Sequence, residues 1–242
     1  VKYEIDNFGY CFPFEPSNGS RILAIFPSSS KSHYFVGVSL MKGLAEKGHD
    51  ITLIAPFKEK HPITNLKTIH LKEVFDYYEA IKKNALNLRN IGILQKSTHI
   101  FDYKVVETRL ILENKNVQKL LDSAQEFDLI ICEIKMSEAL LGFGQHFKTP
   151  IIAMSASGTN KWTNYLVGNP SPLSYVRNTL LGFSSDMSFS DRAWNVAITT
   201  FEEIYYNFFY FHKQVSLYNK FFKDPKPALE DICKNVSLVL LT

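Results

Sequence analysis

Four short, strongly apolar runs constrain this chain more than any other feature of its sequence. They read RILAIF at 21–26, DITLIA at 50–55, DLIIC at 128–132 and PIIAM at 150–154. Runs of this length and composition are typical of strands buried on both faces of a parallel sheet. Apolar residues recur at helical spacing over 34–47, between the first two runs, and Gly48 predicts the end of that helix. Strand, helix and strand in this order predict a βαβ unit with a right-handed crossover.

The remainder of the chain extends the same alternation. The pattern predicts a third strand at 67–71, helices over 75–124 interrupted near Gly92, a helix at 137–147, an aromatic helical segment at 188–222 and a last strand at 236–241. Residues 1–19 follow neither period, and we interpret them as an extended leader before a single domain at 20–242. The whole pattern predicts an α/β fold with a doubly wound parallel sheet and helices on both faces.

Composition excludes several classes of protein. The chain has 242 residues, with 27 Lys+Arg against 24 Asp+Glu, so its net charge of +3 gives no argument for nucleic-acid binding. A hydrophobic fraction of 45% excludes intrinsic disorder. The three cysteines form no C-x-x-C pair, and the histidines other than His33 are scattered without i, i+4 pairing. Neither a disulfide framework nor a metal site is therefore predicted.

The loops after the buried strands hold the candidate chemistry, because ligands of such sheets bind outside the carboxyl ends of the strands. His33 follows the first strand where the next helix begins, and Glu133 directly follows the run at 128–132. A carboxylate that holds one ring N–H of a histidine leaves the other nitrogen as a general base. The alternative, that His33 is only a polar residue at a helix start, stays open on spacing alone.

Other motifs in the chain give no comparable signal. Ser28 to Lys31 matches S-x-x-K, but the accompanying S-D-N and K-T-G motifs are absent. The serine-rich loop lacks the glycines of phosphate-binding loops, and the chain has no G-x-S-x-G nucleophile elbow, which argues against an α/β hydrolase. We interpret the glycines of Gly142-Phe143-Gly144 as sites of close helix packing. The aromatic cluster over 201–211 is interpreted as core or as a docking face.

Several long segments together resemble one enzyme family. RILAIFPSSSKSHYFVGVSLMKGLAEKGHDITLIAPF, FDLIICEIKMSEALLGFGQHFKTPIIAMSASGTNKWTNYLVGNPSPLSYV and DMSFSDRAWN are similar to the first half of membrane-bound UDP-glycosyltransferases, in particular of the insect type. The resemblance covers nearly everything from Ser20 to the end. It implies the N-terminal, acceptor-binding half of a two-domain GT-B enzyme whose C-terminal half binds the nucleotide sugar.

The resemblance also implies a mechanism. His33 would be the general base that deprotonates an acceptor hydroxyl, which then displaces UDP from the sugar with inversion and without a metal. Glu133 stands at the position of the histidine's partner, where the family usually has aspartate, so the orientation of His33 must accommodate one extra methylene. No cofactor is implied, since the UDP-sugar is a co-substrate held mainly by the other domain.

Position relative to the strand ends gives the expected acceptor pocket. We expect contributions from residues 75–110 and from Ser32, Tyr34, Lys135, Met136, Ser157 and Trp162. The implied acceptor is a small lipophilic hydroxyl compound and the implied sugar is glucose. The family's full-length enzymes are anchored in the endoplasmic reticulum membrane on the lumenal side, where Asn18-Gly19-Ser20 would be a glycosylation site, and a homo-oligomer is compatible with the resemblance. The alternative is a truncated, non-catalytic domain that binds a small molecule or a partner.

Overall fold

A computed structural model describes residues 2–5, 11–14, 19–59, 61–83, 91–184 and 186–241. Near its start, the short strands β1 (Lys2–Ile5) and β2 (Cys11–Phe14) pair antiparallel. The sequence predicts an extended leader here but no strand pairing, because Pro13 and the irregular order of aromatic residues conceal the period of a strand. The other predicted leader residues, except Gly19, lie outside the described part of the chain.

Six parallel strands form the central sheet in the order β5-β4-β3-β6-β7-β8. Their bounds are β3 (Arg21–Ile25), β4 (Asp50–Ala55), β5 (Leu66–His70), β6 (Leu129–Glu133), β7 (Ile151–Ser155) and β8 (Leu238–Leu241). Every strand predicted beyond residue 19 is confirmed, with ends that differ by at most two residues.

The order of the strands reverses direction at β3. The chain leaves β3 toward β4 on one side, whereas β6 pairs with β3 on the other side. Ile25 of β3 lies opposite Cys132 of β6, so these two strands end at nearly the same level. A crevice opens at such a switch point, outside the carboxyl ends of the strands.

Helices cover both faces of the sheet, as predicted. They are α1 (Lys31–Glu46), α2 (Lys72–Lys83), α3 (Ile93–Glu113), α4 (Lys115–Leu121), α5 (Gly142–Phe147), α6 (Lys161–Leu166), α7 (Phe189–Tyr205), α8 (Phe211–Phe221) and α9 (Leu229–Cys233). A 3₁₀ turn (Glu138–Leu141) precedes α5, and a π-helical turn (Tyr206–Tyr210) joins α7 to α8. The sequence did not predict α6 and α9, which are short. No helix in the described ranges combines the length and the apolar character that a membrane crossing requires.

The side chains of β3 show why the sheet needs helices on both faces. Ile22, Ala24 and Phe26 pack with α1 in one apolar cluster, whereas Leu23 and Ile25 belong to a second cluster on the opposite face. Successive residues of a strand point to opposite faces, and here both faces are apolar and buried.

Three glycines let helices approach their neighbours closely. A Cβ at Gly37 of α1 would lie 2.2 Å from the ring of Phe26, which directly follows β3. Cβ atoms at Gly142 and Gly144 would meet Phe222 at 2.6 Å and Ile151 at 2.4 Å. The prediction that Gly142 and Gly144 permit close packing is confirmed, and Gly37 fixes the position of α1 relative to the end of β3.

Candidate active site

His33 and Glu133 meet at the switch point of the sheet. His33 lies in the first turn of α1 and Glu133 is the last residue of β6. The Nδ1 atom of His33 lies 2.7 Å from Oε1 of Glu133. The other carboxylate oxygen accepts a hydrogen bond of 3.3 Å from the backbone N–H of Ser28. The Glu133 side chain is only 3% exposed, so these two contacts hold a buried carboxylate in one orientation.

The hydrogen bonds assign the tautomer of His33. An ionised carboxylate has only acceptor sites, so the proton of a neutral His33 ring is assigned to Nδ1. Nε2 then carries a free lone pair, and it lies 3.4 Å from the hydroxyl oxygen of Ser157. The His33 side chain is 14% exposed, so the ring is only partly covered. The arrangement provides a proton acceptor backed by a carboxylate, which is the chemistry of a general base.

A cavity of about 310 Å³ lies close to the pair, although neither His33 nor Glu133 is part of its wall. Ser157, next to Nε2 of His33, is part of its wall. The structure also places Lys135, Met136 and Trp162 on this wall, where position along the chain predicts them. Residues of α3 contribute as well, in agreement with the expectation for residues 75–110. The volume and the mainly apolar wall suit a small organic molecule.

The structure places Tyr34 away from this cavity. The Tyr34 side chain is buried under α1, where its hydroxyl donates a 2.6 Å hydrogen bond to Oε1 of Glu59 and its ring lies 4.8 Å from that of Phe57. Tyr34 is absent from the cavity wall next to the dyad. Successive residues of a helix point in directions about 100° apart, so Tyr34 turns to the core when His33 faces the crevice. Burial, with the nearby carboxylate of Glu59, raises the pKa of Tyr34.

Ser32 also lies away from this cavity. Ser32 is exposed in the first turn of α1, and its hydroxyl pairs with that of Ser30 at 3.0 Å. It takes no part in the wall of the cavity. Adjacency to His33 in the sequence is therefore a poor guide to which side chains face the crevice.

A polar group on another wall of the cavity was missed by sequence reasoning. Glu202 of α7 accepts hydrogen bonds from the Ser97 hydroxyl at 2.7 Å and from the Asn178 side chain at 2.6 Å. Burial raises the pKa of the Glu202 carboxyl, although these bonds and the charge of Lys161 act in the opposite direction. The sequence gives no signal for this group, because its three members come from separate segments and two of them lie in regions without clear periodicity.

The aromatic segment supports the cavity from behind. Trp162 stacks on Tyr206 with ring centroids 4.3 Å apart, and the Tyr206 hydroxyl donates a 3.0 Å hydrogen bond to Oε1 of Glu138. The Tyr210 hydroxyl donates to the carbonyl of Met136, whose φ of 56° is left-handed. Tyr206 and Tyr210 are buried, whereas Phe208 and Phe209 are exposed, so this segment belongs to the core on one side only. The π-helical turn thus holds the strained backbone of a wall residue.

Titratable groups around the cavity are mainly cationic. Lys135, Lys161 and Arg177 contribute to its wall. Burial and then the charge of Lys104 lower the pKa of Lys135. In the part of the chain that the structure describes, no group of three or more His, Cys, Asp or Glu side chains could hold a metal ion.

Comparisons with known proteins show what the chain is similar to. A family profile described as UDP-glucoronosyl and UDP-glucosyl transferase matches residues 25–242. The chain is 28% identical over 235 residues to a UDP-glycosyltransferase, UGT4, of Dactylopius coccus, covering 93% of this chain and 45% of the relative. A second protein of that insect, UDP-glucosyltransferase 2, is 26% identical, with 93% of this chain and 44% of the relative covered.

A viral protein is also similar. The ecdysteroid UDP-glucosyltransferase of Autographa californica nuclear polyhedrosis virus is 25% identical over 156 residues, which cover 61% of this chain and 31% of the viral protein. The chain spans less than half the length of the relatives that it matches over most of its own length.

Proposed function

Because this chain belongs to the UDP-glucuronosyl and UDP-glucosyl transferase family, we propose that it is the acceptor-binding half of an inverting UDP-sugar-dependent glycosyltransferase. The observation that carries the proposal is the 2.7 Å contact between His33 Nδ1 and Glu133 Oε1 at the switch point of the sheet, with Ser157 of the nearby cavity next to His33. The bare fold would support many functions, whereas this pair supports proton abstraction.

The proposed reaction begins with an acceptor hydroxyl at Nε2 of His33, in the region now occupied by the Ser157 hydroxyl. As Nε2 takes the proton, the acceptor oxygen attacks the anomeric carbon of the sugar and the bond from that carbon to UDP breaks. Attack opposite the leaving group inverts the anomeric configuration. Glu133 stabilises the imidazolium that forms, and no metal takes part.

The extra methylene of Glu133, compared with the aspartate usual in the family, is accommodated without loss of the contact. The Ser28 N–H binds one carboxylate oxygen and leaves the other directed at His33. This geometry supports Glu133 as a full substitute for the aspartate. Lys135, Met136, Ser157 and Trp162 would then bind the acceptor on the cavity wall.

The substrates and surroundings follow from the family resemblance. We propose glucose as the sugar, since the names of several relatives specify UDP-glucosyltransferases. A C-terminal half would hold the UDP-sugar, and the full-length form would be attached to the endoplasmic reticulum membrane on its lumenal side. Protease protection of the full-length protein in intact microsomes would test this orientation.

The function is tested by glycosyl transfer from UDP-glucose to a panel of phenols. The full-length membrane form should be active, and His33→Ala should reduce kcat about 10²- to 10⁴-fold, as expected for loss of a general base. Circular dichroism of each variant checks folding. Full activity of His33→Ala would remove the general-base assignment. Acceptor binding without transfer in the full-length form would instead favour a non-catalytic binding protein.

A further inference from the structure

One group of polar side chains on the cavity wall is joined by hydrogen bonds. The apolar part of the wall includes Ile100, Phe101, Ile134, Leu173, Val176 and Leu180. Among the polar residues of the wall, Glu202, Ser97, Asn178 and Thr199 form one hydrogen-bonded patch. A buried carboxylate in an apolar cavity is costly unless its hydrogen-bonding capacity is used.

The patch is held rigidly from behind. The backbone N–H of Asn178 donates a 2.7 Å hydrogen bond to the side chain of Asn195, which is fully buried. Asn178 also accepts a 2.9 Å bond from the backbone N–H of Leu180. Because Asn178 is fixed in this way, its amide holds Oε2 of Glu202 in a defined position while Ser97 holds Oε1. A side chain that is already held in place loses little conformational entropy when a ligand binds to it.

Glu202 retains capacity for another hydrogen bond. Each of its oxygens accepts one bond from Ser97 or Asn178, whereas a carboxylate oxygen can accept two. The residue is 8% exposed, and it contributes to the cavity wall. The remaining acceptor sites therefore suit a donor on a molecule within the cavity.

The charges on the wall restrict what that donor can be. Lys135, Lys161 and Arg177 contribute to the wall, and Glu203 pairs with only Lys161 among them, so a cationic group would meet repulsion from the other two. An anionic group would be repelled by Glu202 itself. A neutral hydroxyl satisfies the free lone pairs of the carboxylate without either cost.

We propose that Glu202 is a specificity-determining residue that selects acceptors with a second hydroxyl group, remote from the one that His33 deprotonates. The preferred substrates are thus neutral, lipophilic diols and polyols rather than simple monohydroxyl compounds. The inference rests on the proposed function for the use of this cavity as the acceptor site. Its direct test is a binding measurement, which does not depend on glycosyl transfer.

The test compares pairs of ligands that differ by one hydroxyl. Isothermal titration calorimetry of the chain would give Kd values for 4,4′-dihydroxybiphenyl against 4-phenylphenol, and for hydroquinone against phenol. At least one diol should bind about 10- to 100-fold more tightly than its partner, as a charge-assisted hydrogen bond provides. The Glu202→Gln variant should lose most of this difference, because a neutral amide offers a weaker acceptor.

A matched control separates recognition from general loss of charge. Glu113→Gln removes one carboxylate from an exposed ion pair with Lys220, away from the cavity wall, and should keep the full preference for the diol. A ligand change needs no variant: 4-hydroxy-4′-methoxybiphenyl cannot donate from its ether end and should bind wild type no better than 4-phenylphenol. That measurement decides the question even if Glu202→Gln does not fold.

The outcomes are distinct from those of the proposed function. Equal binding of both members of each pair by wild type would overturn the inference, as would an unchanged preference in Glu202→Gln. If the full-length form transfers no sugar and yet prefers the diol only when Glu202 is present, the inference about binding is supported, while the proposed catalysis fails. If transfer depends on His33 but binding does not depend on the second hydroxyl, the proposed catalysis is supported and the inference about Glu202 fails.

Discussion

The two walls of the candidate site are held by different kinds of structure. In the dyad, Glu133 ends β6 and His33 begins the helix that follows β3, and these two strands are fixed by parallel pairing at the centre of the sheet. The wall with Glu202 is built from helices and a loop, and side-chain hydrogen bonds between distant segments hold it together. The backbone of the sheet therefore positions the dyad, whereas the network of side-chain hydrogen bonds determines which molecules can bind in the cavity. Changes at the two walls should therefore affect different measured quantities.

The largest effect should come from reversing the hydrogen bond of the dyad. Glu133→Gln keeps the shape of the side chain, but its amide can donate to Nδ1 and so favour the wrong tautomer of His33. We expect kcat for glycosyl transfer by the full-length form to fall about 10²- to 10⁴-fold, with little change in acceptor KM.

Glu133→Asp is the matched control for that change. It keeps the charge and restores the residue usual in the family, so its loss of kcat should be less than about tenfold. Equal losses in the two variants would show that the length of the side chain, and not the direction of the hydrogen bond, decides activity.

The next effect is on stability and tests how closely α1, which carries His33, packs against the end of β3. Gly37→Ala places a methyl group against the ring of Phe26 and should lower the free energy of unfolding by about 1–3 kcal/mol. Gly43→Ala in the same helix has no atom within 4 Å of the new Cβ and should raise it by about 1 kcal/mol. Urea unfolding of both variants gives the comparison. Equal stability would mean that α1 can move away from β3 at no cost.

A smaller effect should appear when the other wall is weakened. Trp162→Ala removes the stack on Tyr206 and part of the cavity surface, so acceptor KM should rise about threefold to tenfold while kcat changes less. Trp194→Ala is the control, because Trp194 is 61% exposed and away from the cavity wall. A fall in kcat without a change in KM would place Trp162 with the dyad instead.

The smallest effect concerns the pH dependence of stability that arises from the carboxyl of Glu138, behind the wall with Trp162. Glu138 is buried, and no partner for its Oε2 atom is found among the described residues. Burial raises the pKa of this carboxyl above its ordinary value of 4.5, although the hydrogen bond from Tyr206 opposes the shift. A carboxyl that binds its proton more tightly when folded makes the folded state less stable as the pH rises from 4.5 through the raised pKa.

Glu138→Gln should remove that dependence. Over this range the stability of wild type should fall relative to the variant, as measured by urea unfolding at a series of pH values. A variant whose stability falls in parallel with wild type would show that Glu138 does not titrate in this range.

The part of the site that rests on the sheet could be predicted from the sequence. Runs of buried strand residues locate the strand ends, and His33 and Glu133 follow two of them, so their meeting at the switch point follows from topology. Lys135 and Met136, which come soon after β6, reach the cavity for the same reason. Ser157 lies two residues beyond the end of β7, so it too is expected at the carboxyl ends of the strands.

The rest depends on the direction of side chains and on contacts between distant segments. Tyr34 neighbours His33 in the sequence but faces the core, because the turn of a helix separates adjacent residues. Glu202 and Ser97 are 105 positions apart, and nothing in either local sequence records that they meet. The π-helical turn at Tyr206–Tyr210 likewise has no signature in the order of its aromatic residues.

The state of the His33 ring tests the central claim most directly. Long-range ¹H–¹⁵N correlation spectra of the chain in mildly alkaline buffer, with signals assigned by comparison with His33→Gln, report which ring nitrogen carries the proton. The contact with Glu133 predicts a protonated Nδ1 and an unprotonated Nε2 toward Ser157, and loss of this preference in Glu133→Gln. A proton on Nε2 in the wild-type chain would contradict the account, because that nitrogen could not then accept one from a substrate hydroxyl.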